Sequence, residues 1–95
     1  MASAIIRRHM PELSRFYGIV IAMYQNDHGP AHFHARYAGM KAKVRIDPSE
    51  VIAGELPPRA TKLVLEWAQL HRDELLHCWD LVMQSQVPPA IAPLD

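Results

Sequence analysis

Three histidines lie within seven residues of this chain, at His28, His32 and His34. Imidazole titrates near neutral pH and also ligates metals, so this density indicates acid–base chemistry or the binding of an ion. From His32 onward polar and apolar side chains alternate, which is typical of a strand with one buried face. His32, His34 and Arg36 then share the face opposite to Phe33. We predict that this face carries the functional site.

A second alternating segment, residues 41–47, follows after a short interval. A two-residue turn at Ala38 and Gly39 places Phe33 opposite Val44, and it puts the apolar side chains of both strands on one face. The segment is therefore predicted to be a hairpin with a cationic outer face. The outward side chains of this hairpin are His32, His34, Arg36, Lys41, Lys43 and Arg45.

The basic side chains and histidines on this face predict that it binds a phosphate-bearing polymer. We expect RNA or another polyanion as the ligand, with phosphates held by basic side chains, namely Arg36, Lys41, Lys43 and Arg45. Two of the three histidines, His28, His32 and His34, would act as general base and general acid. Because RNA can be cleaved through its own 2′-hydroxyl, a toxin-like ribonuclease of this kind needs no protein nucleophile, and we predict no metal and no cofactor.

A metal site is the first alternative. His32 and His34 share a strand face, and Asp27 and His28 precede them in a loop, so three or four nitrogen and oxygen ligands are available. Neighbouring lysine and arginine side chains would repel a cation, and this argument disfavours a metal.

A non-catalytic interaction protein, such as the regulatory half of a two-gene module, is the second alternative. Residues 1–62 hold nine Lys and Arg against five Asp and Glu, whereas residues 63–95 hold one against five. A basic sheet and an acidic helical part suit a phosphate ligand, a basic partner or a second copy of the chain. We expect a homo-oligomer or a stable protein partner, because so small a domain leaves apolar surface uncovered.

Composition is typical of one soluble domain, with 95 residues of which 49% are hydrophobic and 21% charged. The longest apolar run, residues 17–24, is too short to span a bilayer, and the single Cys78 has no internal disulfide partner. These features predict a cytoplasmic protein without a membrane segment. We divide the chain into an N-terminal extension (1–9), one domain (10–86) and a proline-rich tail (87–95).

The hydrophobic patterns predict an α+β domain. Residues 13–25 are apolar on both faces and indicate a long central strand, the hairpin follows, and residues 51–56 form a short fourth strand. Helical periodicity extends over residues 59–84 after Pro57 and Pro58. We therefore expect an antiparallel sheet of three or four strands, packed on one face by a C-terminal helix or helix pair. The predicted core comprises Ile19, Ile21, Phe33, Val44, Ile46, Leu63, Trp67, Leu75 and Val82.

One polar pair interrupts the apolar stripe of that helix. His71 and Glu74 lie three residues apart in the middle of the stripe, so either the helix breaks between Leu70 and Asp73 or a polar pair is buried. A buried pair would require partners, which makes these two residues a secondary candidate site.

Several motifs in order along the chain resemble a known family. They are the segments 13–19, Asp27-His28-x-Pro30-x-His32-Phe33-His34-Ala35-x-Tyr37, Gly54-Glu55-Leu56-Pro57 and 65–75. Together they resemble domain of unknown function 4160, a family of small bacterial proteins, over about residues 10–80. The resemblance implies a gene setting like that of two-gene toxin and antitoxin modules, and it assigns no catalytic residue.

Overall fold

The computed structural model describes residues 11–25 and 27–95, and the predicted N-terminal extension (1–9) lies outside them. The sheet is an antiparallel meander in the order β1-β2-β3-β4-β5, followed by two helices. This α+β architecture confirms the predicted class, with one strand more than expected. The elements are β1 (Glu12–Phe16), β2 (Ile19–Ala22), β3 (His32–Tyr37), β4 (Met40–Arg45), β5 (Glu50–Gly54), α1 (Pro58–Leu70) and α2 (Arg72–Met83).

The predicted single first strand is wrong, because residues 12–22 form a hairpin. Tyr17 and Gly18 have φ values of 50° and 79° and make a tight two-residue turn, so that Phe16 pairs with Ile19. Positive φ at both turn residues gives a turn whose twist matches that of the flanking strands. Folding back lets both halves of the apolar segment face the same core, instead of requiring a cover on each face.

The second hairpin, β3 with β4, has the predicted register. Phe33 pairs with Val44 and His34 with Lys43 across the two strands, and Phe33 and Val44 are fully buried. The turn at Ala38 and Gly39 has φ values of 50° and 81°. The prediction that the hydrophobic pattern selects this register is confirmed.

The helical part begins where the sequence indicates, and of the two alternatives left open for its middle the structure shows the break. α1 begins at Pro58, a position that suits proline because the first helical N–H has no partner within the helix. His71 separates α1 from α2 and is helical in neither. No helix of the described residues is long and apolar enough to cross a membrane.

Trp67 of α1 lies at the centre of the core. Its ring contacts Phe16 of β1 and Phe33 of β3, with centroid distances of 5.3 and 5.8 Å. All the predicted core residues are fully buried except Leu63, which is partly buried and packs against the others.

The proline-rich tail packs on the domain. The N–H of Ile91 donates to the carbonyl of Leu13, and Nε1 of Trp67 donates to the carbonyl of Ala92, both at 2.8 Å. Ile91 is itself buried. The tail therefore covers one edge of β1 and satisfies the indole N–H in the core.

Gly54 ends β5 opposite Ala42 of β4, where the two backbones lie close together, and we predict that Gly54→Ala destabilises the fold. Gly54 has φ +71°, and an added Cβ would collide with the carbonyl oxygen of Lys41 and lie 3.1 Å from Cα of Ala42. An alanine at this position would be strained by the left-handed backbone conformation and would also clash with backbone atoms of β4. Together these effects should lower the free energy of unfolding, measured by urea denaturation, by more than about 2 kcal/mol.

Gly39→Ala is the matched control. Gly39 has φ +81° but no atom within 4 Å of an added Cβ, so it carries the backbone strain alone. An equal loss of stability in both variants would contradict the predicted clash.

Candidate functional site

The candidate site is built where the loop before β3 folds back over the start of that strand. Alternation along β3 puts His32 and His34 on one face, and their ring centroids lie 5.3 Å apart. Asp27 approaches both rings from the loop: its Oδ2 lies 2.8 Å from Nε2 of His32 and 3.0 Å from Nε2 of His34. The other carboxylate oxygen, Oδ1, accepts a hydrogen bond from the backbone N–H of His28. This bond fixes the carboxylate so that Oδ2 points at the two imidazoles.

His32 is buried, which corrects the expectation that it lies on an open outer face. Only 1% of the residue is exposed. Its Nδ1 donates to the carbonyl of Pro30 at 2.7 Å, and the ring of Trp79 from α2 packs against it with a centroid distance of 5.0 Å. The loop and α2 thus cover the start of β3 from two sides.

His34 is half-buried and opens onto solvent. The ring of Tyr24 meets it edge-on at a centroid distance of 4.2 Å. On the solvent side His34, Lys41 and Lys43 line an open depression of about 310 Å³. Burial lowers the pKa of His34, and nearby His32 and Lys43 lower it further, although Asp27 opposes them. His34 is therefore a mainly neutral imidazole at pH 7.

Asp27 stays ionised at the centre of this cluster. Burial alone would raise the pKa of its carboxyl, but hydrogen bonds from His34, His32 and the backbone N–H of His28 outweigh burial and lower it. Asp27, His32 and His34 each offer a ligand atom, and these three atoms all lie within 4.8 Å of one another. We call these three residues the Asp-His-His cluster.

The basic side chains of the hairpin fall into two groups. Arg36 and Lys41 are exposed and directly opposite each other, and Lys43 is partly exposed opposite His34. None of the three forms an ion pair with an acidic side chain of the described residues. Arg45 differs, because it pairs with Glu50 at 2.7 Å. Of the residues predicted to bind phosphate, Arg36, Lys41 and Lys43 therefore have no ion-pair partner among the described residues, and we call these three the basic row.

The remaining predicted residues lie outside the cluster. His28 is exposed, and its ring makes no hydrogen bond to the described residues. At the junction of the two helices, Nδ1 of His71 lies 2.5 Å from a carboxylate oxygen of Glu74, and the ring of His71 packs on Trp67. Glu74 is exposed, so this secondary candidate is a hydrogen-bonded pair at a helix break.

Sequence reasoning proposed Asp27 only as a ligand in the metal alternative, and it missed the contacts of Tyr24 and Trp79. The available signal for Asp27 was its position in the turn Asp27-His28-Gly29-Pro30. This turn leads directly into β3, so its first residue can lie close to the start of that strand. Nothing local to β3 indicated Trp79, which comes from α2.

The protein is a small α+β domain with a meander sheet and a helix pair. Its candidate site is the Asp-His-His cluster at the start of β3. A sequence model of the family described as Domain of unknown function (DUF4160) matches residues 18–80. The chain belongs to this family, as the resemblance indicated. No curated protein and no solved structure matches the chain.

Proposed function

We propose that this protein binds single-stranded RNA through the basic row on the outer face of β3 and β4. The observation that supports this proposal is a pair of like charges: Arg36 and Lys41 are directly opposite in the ladder, and no described carboxylate lies within ion-pair distance of either side chain. Like charges in directly opposite positions destabilise a sheet. A bound phosphate would relieve this repulsion.

The shape of the face agrees with a flexible anionic ligand. Two depressions adjoin on the hairpin, one lined by His34, Lys41 and Lys43 and the other by Arg36 and Lys41 together with the turn residues. Lys41 belongs to both, so the basic row is continuous across them. Tyr24 also lines the first of these depressions and offers a ring on which a base can stack.

Binding should depend on salt in proportion to the number of phosphates contacted. For single strands, the slope of log K against log salt is about −0.7 for each phosphate neutralised. We expect Lys43→Gln and Lys41→Gln each to weaken binding and to reduce the magnitude of this slope by about 0.7. Fluorescence anisotropy with a labelled single-stranded RNA, titrated at several salt concentrations, measures both quantities.

Lys62→Gln is the matched control, because Lys62 is an exposed lysine on α1 away from the basic row. It removes the same charge from the protein and should leave the slope unchanged. Equal effects of Lys62→Gln and Lys43→Gln, or no binding of RNA by the unaltered protein, would overturn the proposal in favour of a protein-interaction role.

Metal-independent cleavage of the bound RNA is a narrower form of the same proposal. His34 is the member of the predicted catalytic set that is both held by a carboxylate and open to the depression. His34→Gln should then abolish cleavage measured in EDTA while the salt dependence of binding is retained, because glutamine keeps a polar side chain but not the titratable nitrogen. Unchanged cleavage in this variant would exclude His34 as the acid–base group.

A further inference from the structure

We propose that the Asp-His-His cluster is a binding site for a divalent transition metal, with Nε2 of His32, Nε2 of His34 and Oδ2 of Asp27 as the protein ligands. The inference goes beyond RNA binding and does not depend on it, because the metal is titrated without RNA. A metal on Nε2 of His34 would prevent this nitrogen from acting as an acid–base group, so the metal site and metal-independent cleavage by His34 are alternatives. It rests on the hydrogen-bonding capacity of His32, on the spacing of the ligand atoms and on the surroundings of the cluster.

The first step concerns His32. A carbonyl oxygen only accepts, so Nδ1 of His32, at 2.7 Å from the carbonyl of Pro30, carries the proton. Nε2 of His32 lies 2.8 Å from Oδ2 of Asp27, which as an ionised carboxylate oxygen only accepts. The contact is therefore held by a positive centre between the two atoms, either a second ring proton or a metal ion that takes its place.

The second step concerns the form of that positive centre. Oδ2 of Asp27 faces Nε2 of both histidines at once, so three ligand atoms converge. Ligand atoms of a tetrahedral zinc ion lie about 3.3 Å apart, given bonds of about 2.0–2.1 Å. The two carboxylate–imidazole separations of 2.8 and 3.0 Å need to open by about 0.3–0.5 Å. The two Nε2 atoms, which lie within 4.8 Å of each other, need to approach by up to about 1.5 Å.

The third step concerns the outer partners. Metal-bound histidines usually donate their second ring N–H to a carbonyl or carboxylate, and the bond from His32 to Pro30 is of this type. Asp27 is fixed in the same way through the backbone N–H of His28. Aromatic rings from Trp79 and Tyr24 lie against the two imidazoles and limit the access of water.

The basic side chains near the cluster do not exclude a metal ion. They influence which fourth ligand completes its coordination. Arg45, opposite His32, is neutralised by Glu50. A divalent ion with one carboxylate and two neutral imidazoles keeps one positive charge, and Lys43 stands opposite His34. This combination favours an anionic fourth ligand such as hydroxide or a phosphate oxygen.

Isothermal titration of untagged, metal-free protein with zinc tests the proposal, and the absorption spectrum of bound cobalt reports the coordination geometry. We expect one zinc ion per chain, tetrahedral cobalt bands, and displacement of cobalt by zinc. His34→Gln and Asp27→Asn should weaken zinc binding by about 100-fold or more, because even the loss of an outer partner costs about 10- to 100-fold. Both positions are partly exposed, so these variants should fold, which circular dichroism verifies.

His28→Gln is the control, since His28 is an exposed histidine next to the cluster but outside it. Full binding by His28→Gln together with weak binding by the two cluster variants would support the site. The proposal would be overturned by the reverse pattern or by a lack of zinc binding in the unaltered protein. It would also be overturned by ring ¹⁵N shifts that show Nε2 of His32 still protonated in the presence of zinc. Zinc is titrated in the absence of RNA, so a failure of the RNA proposal would not be mistaken for a failure of this one.

Discussion

Trp67→Ala should remove a large part of the stability of this protein. The indole is fully buried, its ring contacts Phe16 and Phe33, and its N–H donates to the carbonyl of Ala92 in the tail. Truncation of a buried tryptophan to alanine lowers the free energy of unfolding by about 3–5 kcal/mol. Small domains have only about 5–15 kcal/mol in total, so we expect the Tm to fall by about 12 °C or more in a thermal melt followed by circular dichroism.

Two further variants separate the causes of that loss. Leu70→Ala changes an exposed leucine on the same helix, with 68% of the residue in solvent, and should alter stability by less than about 0.5 kcal/mol. Trp67→Phe keeps an aromatic ring but leaves the carbonyl of Ala92 without its donor. Its loss of stability should therefore lie between the losses of Leu70→Ala and Trp67→Ala. A loss for Trp67→Ala no larger than that for Leu70→Ala would show that Trp67 does not hold the helices, sheet and tail together.

The hairpin of β3 and β4 could be predicted from sequence because its information is local. Strict alternation on both sides of Ala38 and Gly39 allows only one register that keeps Phe33 and Val44 on one face, and the structure has that register. The break of the helix at His71 is local in the same sense, since His71 and Glu74 interrupt an apolar stripe.

The hairpin of β1 and β2 was missed because its turn has no strong signal at one position. Tyr17 adopts φ 50°, which a bulky side chain rarely does, and Gly18 alone did not mark a turn. The apolar residues on both sides of this turn also satisfied the pattern of a buried central strand. Packing of both halves into the shared core decides between the two arrangements, and this information is not local to the segment.

The candidate site shows the same limit. Alternation correctly put His32 and His34 on one face, but the burial of His32 depends on Trp79 and on the return of Asp27 over the strand. As a result, the predicted uniform basic surface divides into a partly buried Asp-His-His cluster and a more exposed basic row. The argument that basic neighbours repel a metal also weakens, because the structure pairs Arg45 with Glu50.

Cys78 should be almost unreactive in the folded protein. The residue is fully buried, and its Sγ lies 3.7 Å from the carbonyl of Pro89, so the tail covers it. Burial raises the pKa of the Cys78 thiol from 9.0 to about 11, and the carboxylate of Glu74 contributes to the increase. Two pKa units correspond to about 100-fold less thiolate at pH 8, and only the thiolate attacks a disulfide reagent.

We therefore expect the native protein to react with a thiol reagent at least about 100-fold more slowly than the protein unfolded in denaturant. Gln69→Cys in a Cys78→Ser background provides an exposed cysteine on α1 as the control, and it should react at the rate of an unfolded chain. Because the folded state holds the Cys78 proton more tightly than the unfolded state, stability should also fall as the pH rises from about 9.0 to about 11. Reaction of native Cys78 as fast as the Gln69→Cys control would show that the tail does not stay docked over α2.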